Sequence, residues 1–94
     1  MDMINNLITD LKRFAKKDFP IDRVSAHLKS IKINHPDLMR FTFFNKSMYT
    51  RNLIHREKSF ELMLICWPPQ THAPIHGHEG EKCWARVERG NLQI

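Results

Sequence analysis

The chain has 94 residues, a formal net charge of +5, and 41% hydrophobic and 27% charged residues. This length allows one domain with a modest core, and the composition is that of a globular chain and excludes a disordered one. The sequence has no run of 18 apolar residues and no signal-like N-terminus, so it predicts a cytoplasmic protein without a membrane segment.

The basic residues raise the question of an anionic partner. Four of them cluster near the N-terminus, and the others are scattered among acidic residues: Lys12, Arg13, Lys16 and Lys17 form the cluster. A nucleic-acid site needs aromatic side chains interleaved with basic ones, and no such run is present. We therefore expect a solvated helix face and no nucleic-acid partner.

The N-terminal part of the chain has the pattern of helices. Apolar residues recur at three- and four-residue spacing over residues 3–17, which indicates an amphipathic helix that Phe19-Pro20 ends. Asp22 is the expected N-cap of a second helix that extends to about Ser30. His27, in that helix, is expected at the surface or at the boundary of the core.

A turn and a short helical segment follow the second helix. His35 is expected to be a turn residue, and Pro36 suits the first position of a segment that ends near Met39.

From about residue 40 the chain is rich in β-forming residues. After a polar turn at residues 56–59, a strand is predicted from Phe60 to Trp67. Because this strand is apolar on nearly both faces, we expect it to lie between layers or in a barrel wall. Cys66 is expected in the core, and His55, beside the turn, at the surface. Cys66 and Cys83 are expected to be unpaired thiols in a reducing compartment.

Another strand is predicted from Lys82 to Glu88. Its two faces differ, with Cys83, Ala85 and Val87 on one and Trp84, Arg86 and Glu88 on the other. Both tryptophans, Trp67 and Trp84, are expected to be packing residues. Arg89-Gly90-Asn91 has the composition of a hairpin turn that begins a last, short strand.

Helices followed by antiparallel strands predict an α+β chain. We expect one domain over residues 1–94, helical in residues 1–39 and β in residues 40–94. The last strand would lack its sheet partners, so the domain is expected to be truncated or to be completed by another chain.

A histidine pair stands out in the second half of the chain. His76 and His78 are two residues apart, and on an extended strand such residues project from the same face. Two imidazoles aimed together suit iron, zinc, nickel or copper, whereas magnesium and calcium prefer oxygen ligands. The sequence therefore predicts a transition-metal site, with the soft sulfur of Cys83 five residues further on.

The spacing around this pair matches a known motif. His76, His78, position 83 and Gly90 follow the first metal-binding motif of the cupins, with cysteine where most cupins have glutamate. Two further motifs occur in the same order, namely Tyr49-Thr50-Arg51-Asn52-Leu53 and the strand that ends at Trp67. Together they resemble the cysteine dioxygenases, mononuclear iron thiol dioxygenases of the cupin superfamily, from about Met48 to Leu92.

The resemblance implies a fold and a reaction. The fold would be N-terminal helices followed by the antiparallel strands of an incomplete, jelly-roll type cupin β-barrel. Fe(II) would be held by His76, His78 and a third histidine of a second cupin motif. Both atoms of O2 would pass to the thiol of L-cysteine, giving cysteine sulfinate.

The resemblance also implies roles for individual residues. Arg51 would receive the substrate carboxylate, which fits the chemistry because a guanidinium fork matches a carboxylate in a bidentate way. Tyr49 and Trp67 would help to form the pocket wall. Cys83 would take the catalytic position of the cysteine that some family members join to a tyrosine by a thioether bond.

The chain departs from the family pattern in one respect. Neither the third histidine nor the tyrosine partner has a counterpart before Ile94, because the one tyrosine, Tyr49, belongs to the substrate-side motif. We therefore expect further C-terminal sequence or another chain to complete the metal site. His72 is an alternative donor, although a loop histidine is the better interpretation.

Other hypotheses stay open on the residues alone. One is a non-catalytic half-cupin module in which His76, His78 and Cys83 hold zinc, and another is an inactive fragment. Within the enzymatic hypothesis, 3-mercaptopropionate and cysteamine are compatible alternatives to L-cysteine.

Overall fold

The architecture is three helices followed by an antiparallel hairpin. A computed structural model describes residues 3–69 and 82–89. Its elements in chain order are α1 (Met3–Ala15), α2 (Ile21–Ser30), α3 (His35–Met39), β1 (Thr50–Glu57) and β2 (Phe60–Cys66). The two strands form an open sheet. This order confirms the predicted α+β class and is that of a partial cupin fold.

Helix α1 contributes the apolar stripe that the sequence pattern predicts. Ile4, Leu7 and Leu11 are buried, and their spacing places them on one face. The helix ends when Asp18 and Phe19 adopt positive φ values of 54° and 48°. Their backbone N–H groups donate to the Ala15 and Phe14 carbonyls, which satisfies two carbonyls at the helix end.

Helix α2 begins differently from the prediction. Its N-cap is Pro20, with φ −57°, and no side chain caps the helix, so the assignment of Asp22 as N-cap is wrong. The ring of Pro20 fixes its φ, and the N-cap position needs no N–H. Asp22 lies in the first turn, where its negative charge interacts favourably with the positive end of the helix dipole. Val24, fully buried, anchors the helix in the core.

His27 joins α2 to α1, at the boundary of the core as predicted. It is half-buried, and its ring packs edge-on against Phe14 with the centroids 5.5 Å apart. Its Nε2 lies 2.9 Å from Oδ2 of Asp10, close enough for an ion pair when the imidazole is protonated, but without hydrogen-bond geometry.

Helix α3 includes the residue that was expected in the turn. The helix starts at His35, with Asn34 as its N-cap, so the turn assignment of His35 is wrong. Pro36 occupies the first helical turn, as predicted, because its missing N–H would have no partner there. The end at Met39 is also confirmed, and Leu38 is the buried residue of the helix.

Residues 40–49 form no strand, despite their aromatic composition. The segment contains a backbone turn in which the amide of Ser47 donates to Oδ1 of Asn45, at 2.8 Å. The large apolar side chains of this segment are exposed: Phe43, Phe44 and Met48. A β-forming composition alone does not form a strand where no neighbouring strand accepts the backbone hydrogen bonds.

The hairpin has a shorter turn than predicted. Strand β1 continues to Glu57, which pairs with Phe60, so only Lys58 and Ser59 connect the strands. The expected turn at residues 56–59 is therefore half strand. A register shift between Leu53 and His55 marks a β-bulge, after which the alternation of faces along β1 changes.

Strand β2 is open on one face. It ends at Cys66 and not at Trp67, and Cys66 is buried as expected, whereas Ile65 is 45% exposed. Its expected place between layers or in a barrel wall stays a prediction, because the described residues include a sheet of two strands. The face that packs does so through Phe60, whose ring lies 6.1 Å from that of Phe19 at the end of α1.

Residues 82–89 form neither a helix nor a strand. No backbone hydrogen bond pairs them within the described part of the chain, so the strand prediction is wrong there. The predicted alternation is nevertheless present. The indole Nε1 of Trp84 donates to Oγ of Ser25 at 3.1 Å and Arg86 donates to the carbonyl of Leu28 at 2.9 Å, while Cys83, Ala85 and Val87 are exposed.

Among the described residues, it is side chains of residues 82–89 that contact the helices. Lys82 donates to the carbonyl of Phe19 at 3.2 Å, and the Trp84 ring lies 6.3 Å from the Phe19 ring. Trp84 is thus a packing residue, as predicted.

None of the helices described here is both long and apolar enough to span a bilayer.

The position of His55 also differs from the sequence expectation. It lies inside β1, half-buried, and not in an exposed turn. Its Nε2 donates to Oε1 of Glu57 at 2.8 Å, and Ser59 donates to the other carboxylate oxygen at 3.1 Å. The His55 ring also packs against Phe60, with centroids 5.5 Å apart, so these side chains close the turn end of the hairpin.

This cluster predicts a pH effect on stability. The hydrogen bond from His55 lowers the pKa of Glu57, Ser59 acts in the same direction, and partial desolvation opposes them. A carboxyl whose pKa is lower in the folded state stabilises the fold above its unfolded pKa and loses this contribution as the pH falls. We expect the Glu57 contribution to disappear as the pH falls below about 4.5.

Thermal unfolding as a function of pH checks this prediction. Glu57→Gln should lower the melting temperature at neutral pH, and the difference from the unmodified chain should vanish towards pH 3. Glu61→Gln is the matched control, because Glu61 forms an exposed pair with Arg56 on the same hairpin. A Glu57→Gln deficit that persists unchanged at low pH would contradict the assignment.

Candidate functional site

The hairpin brings the three predicted substrate-side residues to one face. Arg51 pairs with Ile65 in the register of the two strands. Tyr49 precedes β1 by one residue and Trp67 follows β2 by one, so strand alternation places both on the side of Arg51. We call this side, formed by Tyr49, Arg51, Leu53, Met63, Ile65 and Trp67, the arginine face.

The Tyr49 and Trp67 rings close one end of the arginine face. Their centroids are 5.7 Å apart in an edge-to-face arrangement, which is a favourable geometry for two aromatic rings. Both side chains are half-buried. The indole Nε1 of Trp67 is buried and has no hydrogen-bond partner among the described residues.

The Arg51 guanidinium is exposed and not neutralised. Its Nη2 donates to the thioether sulfur of Met63 at 3.6 Å, a weak acceptor on the neighbouring strand. No carboxylate of the described residues lies within ion-pair distance of it. Within residues 3–69 and 82–89 the guanidinium therefore forms no ion pair, and its donors can bind an anion.

Apolar side chains flank Arg51. Leu53 and Ile65 are 46% and 45% exposed, and Met63 is half-buried. A guanidinium donates charge-assisted hydrogen bonds to a carboxylate, and the apolar side chains beside it offer contact area for the rest of a ligand. The arrangement can bind a small anionic molecule that also has an apolar or polarisable part.

The opposite face of the hairpin carries a hydrogen-bond network that sequence reasoning missed. Nδ2 of Asn52 donates to Oγ1 of Thr50 at 3.0 Å and to the carbonyl of Leu64 at 3.2 Å. The Thr50 hydroxyl donates to the carbonyl of Phe43. Thr50 and Asn52 belong to the motif that contains Arg51, but nothing in their spacing reveals which groups they bond.

The two cysteines have different surroundings. Both are free thiols, as predicted; Cys66 is buried and Cys83 is exposed. Asn52 lies 3.7 Å from the Cys66 sulfur and contributes a weak hydrogen bond to it. The described structure therefore leaves the thiol of Cys83 exposed.

This difference predicts the order of thiol modification. In the folded chain, a thiol reagent such as Ellman's reagent should modify one cysteine rapidly, and the second only as fast as the chain opens. The Cys83→Ser variant should lose the fast phase, and the Cys66→Ser variant should keep it. Two equally fast thiols in the native chain would contradict the burial of Cys66.

The predicted metal ligands lie outside the described residues. His76 and His78, together with His72 and Gly90, fall in the ranges that the structure does not describe. Within residues 3–69 and 82–89, no three histidine, cysteine, aspartate or glutamate side chains are placed to hold a metal ion. The donor set of two imidazoles suits iron by its chemistry, and its geometry stays a prediction.

Comparison with known proteins identifies related sequences. A family model described as "Cysteine dioxygenase type I" matches residues 2–94. The chain is 29% identical over 94 residues to cysteine dioxygenase type 1 of Danio rerio, and 30% identical over 81 residues to that of Rattus norvegicus. The protein of the same name from Homo sapiens is 27% identical over 81 residues.

These matches cover the chain better than they cover the relatives. They include 98% of the chain for the Danio rerio protein and 85% for the other two, but only 47% and 40% of the relatives themselves. The chain thus spans about half the length of the curated relatives it matches, or less. No solved structure matches it significantly.

Proposed function

The chain belongs to the cysteine dioxygenase type I family, and from that premise we propose that it serves the oxidation of the thiol of L-cysteine to cysteine sulfinate. The observation that carries this proposal is the arginine face. The hairpin gathers Arg51, Tyr49 and Trp67, which are the residues that the family resemblance assigns to the substrate. The proposed enzyme is a thiol dioxygenase that uses Fe(II) and O2.

Arg51 binds the substrate carboxylate in this proposal. Its guanidinium forms no ion pair with a described carboxylate, and a planar fork of donors can hold both oxygens of a carboxylate at once. Exchange of the weak Met63 contact for a charge-assisted pair favours the bound state. This interaction fixes one end of an amino acid and leaves its thiol free to reach the reacting centre.

The aromatic pair gives the site its wall. Tyr49 and Trp67 stack edge to face at the end of the hairpin, on the face from which Arg51 projects, and in this proposal they bound one end of the substrate site. Substrates larger than a small thiol amino acid should fit this end less well.

The metal site is assigned by chemistry and not by geometry. His76 and His78 would hold Fe(II), and in the proposal a further ligand comes from additional sequence or from another chain. When bound, Fe(II) supplies the redox chemistry by which both oxygen atoms of O2 are transferred to sulfur. Cys83 is proposed to lie beside this centre, and its exposure leaves the thiol accessible.

One experiment separates this proposal from the zinc-binding module. The chain is loaded with Fe(II) without oxygen, given L-cysteine and then air, and cysteine sulfinate is measured by mass spectrometry. Sulfinate that requires both Fe(II) and O2 supports the proposal, and the His76→Ala variant should abolish it. Stoichiometric zinc binding without any sulfinate would replace the enzymatic function by metal binding alone.

A further inference from the structure

The side of the hairpin opposite to Arg51 has a hydrogen-bond chain with no role in the reaction proposed above. It starts at Asn52, passes through the Thr50 hydroxyl and ends at the carbonyl of Phe43, while a second branch reaches the carbonyl of Leu64. These hydrogen bonds thus join three parts of the molecule, which are the segment before β1, β1 itself and β2.

The direction of each hydrogen bond in this network follows from which groups can donate and which can only accept. Backbone carbonyls only accept, so the Thr50 hydroxyl must give its one proton to Phe43. The Thr50 oxygen can then only accept from Asn52. Since Leu64 also offers a carbonyl, the amide of Asn52 must present its NH2 group to both, and rotation of the amide would set oxygen against oxygen.

Both donating residues flank Arg51 in sequence and point away from it. Thr50 pairs with Cys66 and Asn52 with Leu64, so their side chains share the face that also holds buried Cys66. Arg51 projects from the other face at the position between them. The hydrogen bonds of Thr50 and Asn52 restrain the twist of β1 from one side. A change in that twist is the motion that would redirect Arg51.

Arg51 has little else to hold it. Its described hydrogen bond is the 3.6 Å contact to the Met63 sulfur, and its side chain is exposed. A long, flexible side chain with one weak contact takes its direction mainly from its backbone. A small change in the direction of β1 at residue 51 is amplified along the length of the side chain to the guanidinium.

We propose that Thr50 and Asn52 are positioning residues for Arg51: their hydrogen-bond chain sets the direction in which β1 presents the guanidinium, and thereby selects thiols that carry a carboxylate. This inference rests on the proposed function only for the identity of the ligand. The control of the direction of Arg51 is a property of the hairpin and is tested separately.

The variants remove the hydrogen-bond network without a large change in side-chain shape. Thr50→Val deletes the hydroxyl, Asn52→Leu deletes both amide donors, and Thr50→Ser keeps the hydroxyl and should restore the unmodified behaviour. Ser59→Ala is the matched control, because it removes a hydroxyl hydrogen bond at the other end of the same hairpin.

The first measurement follows the Arg51 side chain without any ligand. The Nε–Hε resonance of Arg51 is recorded by NMR, together with the backbone amides of both strands. Thr50→Val and Asn52→Leu should shift this resonance and increase its mobility, while the cross-strand amide contacts stay in place. An unchanged Arg51 resonance in both variants overturns the proposal, and so does an equal change in Ser59→Ala. Loss of the whole hairpin in both variants assigns the network to folding alone and also overturns it.

The second measurement compares two thiols that differ in the carboxylate. Dissociation constants for L-cysteine and cysteamine are obtained from the same resonances. The ratio of the cysteamine constant to the L-cysteine constant should fall by roughly three- to tenfold in Thr50→Val and Asn52→Leu, the equivalent of about one net hydrogen bond. If Thr50 and Asn52 only stabilise the hairpin, their replacement should weaken the binding of both thiols equally and leave the ratio unchanged. That result would overturn the proposed selection of thiols that carry a carboxylate. If L-cysteine does not affect Arg51 even in the unmodified chain, the proposed function fails, while the first measurement still decides the positioning.

Discussion

Replacement of Arg51 by alanine is expected to weaken the binding of L-cysteine by about 10- to 100-fold and to leave cysteamine binding nearly unchanged. Arg51 presents a guanidinium without a carboxylate partner among the described residues, so the substrate carboxylate is its natural counter-ion. Cysteamine lacks this carboxylate and gains nothing from the arginine. Titration of both thiols into the folded variant, followed by NMR or calorimetry, gives the two constants.

Two further variants sharpen the test. Arg51→Lys should recover only part of the affinity, because an ammonium group keeps the charge but not the bidentate fork. Arg56→Ala is the matched control, since Arg56 is exposed on the same strand and already pairs with Glu61 at 3.2 Å. Equal losses of L-cysteine affinity in Arg56→Ala and Arg51→Ala would show that general positive charge, and not a specific site, attracts the ligand.

Ile4→Ala is expected to destabilise the chain by about 2–5 kcal/mol. Ile4 is 2% exposed and belongs to a small core, whose other buried apolar members in the described residues are Leu7, Leu11, Val24, Leu38 and Cys66. A domain of ordinary stability has about 5–15 kcal/mol in total, so this single cavity removes a large part of it. Urea unfolding followed by circular dichroism measures the difference.

Ile21→Ala is the control for that experiment. It removes the same atoms from a helix, but Ile21 is 59% exposed, so its loss should change the free energy of unfolding by about 0.5 kcal/mol or less. Similar losses in Ile4→Ala and Ile21→Ala would contradict the core described above. Neither residue belongs to the arginine face, so binding of L-cysteine to the folded fraction should not change.

The hairpin separates two tasks between its two faces. One face carries the exposed guanidinium, the aromatic pair and the apolar flank, which suit a ligand. The other carries the Thr50 and Asn52 network, and near the turn it packs on Phe19 through Phe60. Because neighbouring residues of a strand point to opposite faces, a stretch of three residues can serve both tasks at once.

The sequence predicted the elements that depend on local pattern. The apolar spacing of α1, the proline at the start of α3 and the alternation of residues 82–88 are all confirmed. Such features follow from the geometry of a single segment, so one sequence is enough to recognise them.

The errors lie where a distant partner decides. The amphipathic pattern of residues 82–88 was interpreted as a strand, but the segment packs on α2 through side chains and forms no ladder with described residues. The exposure of His55 was misjudged because β1 extends to Glu57 and the carboxylate accepts its hydrogen bond. Composition cannot indicate which of these partners a residue will meet.

By itself the sequence determined the α+β class, the membership in the cysteine dioxygenase family and the residue types suited to a metal and a carboxylate. The tertiary structure alone decided that Tyr49, Arg51 and Trp67 share one face, and that Thr50 and Asn52 join β1 to its neighbours behind that face. The reason is physical: residue chemistry is encoded locally, whereas register, bulges and hydrogen-bond partners depend on segments that meet only in the folded chain.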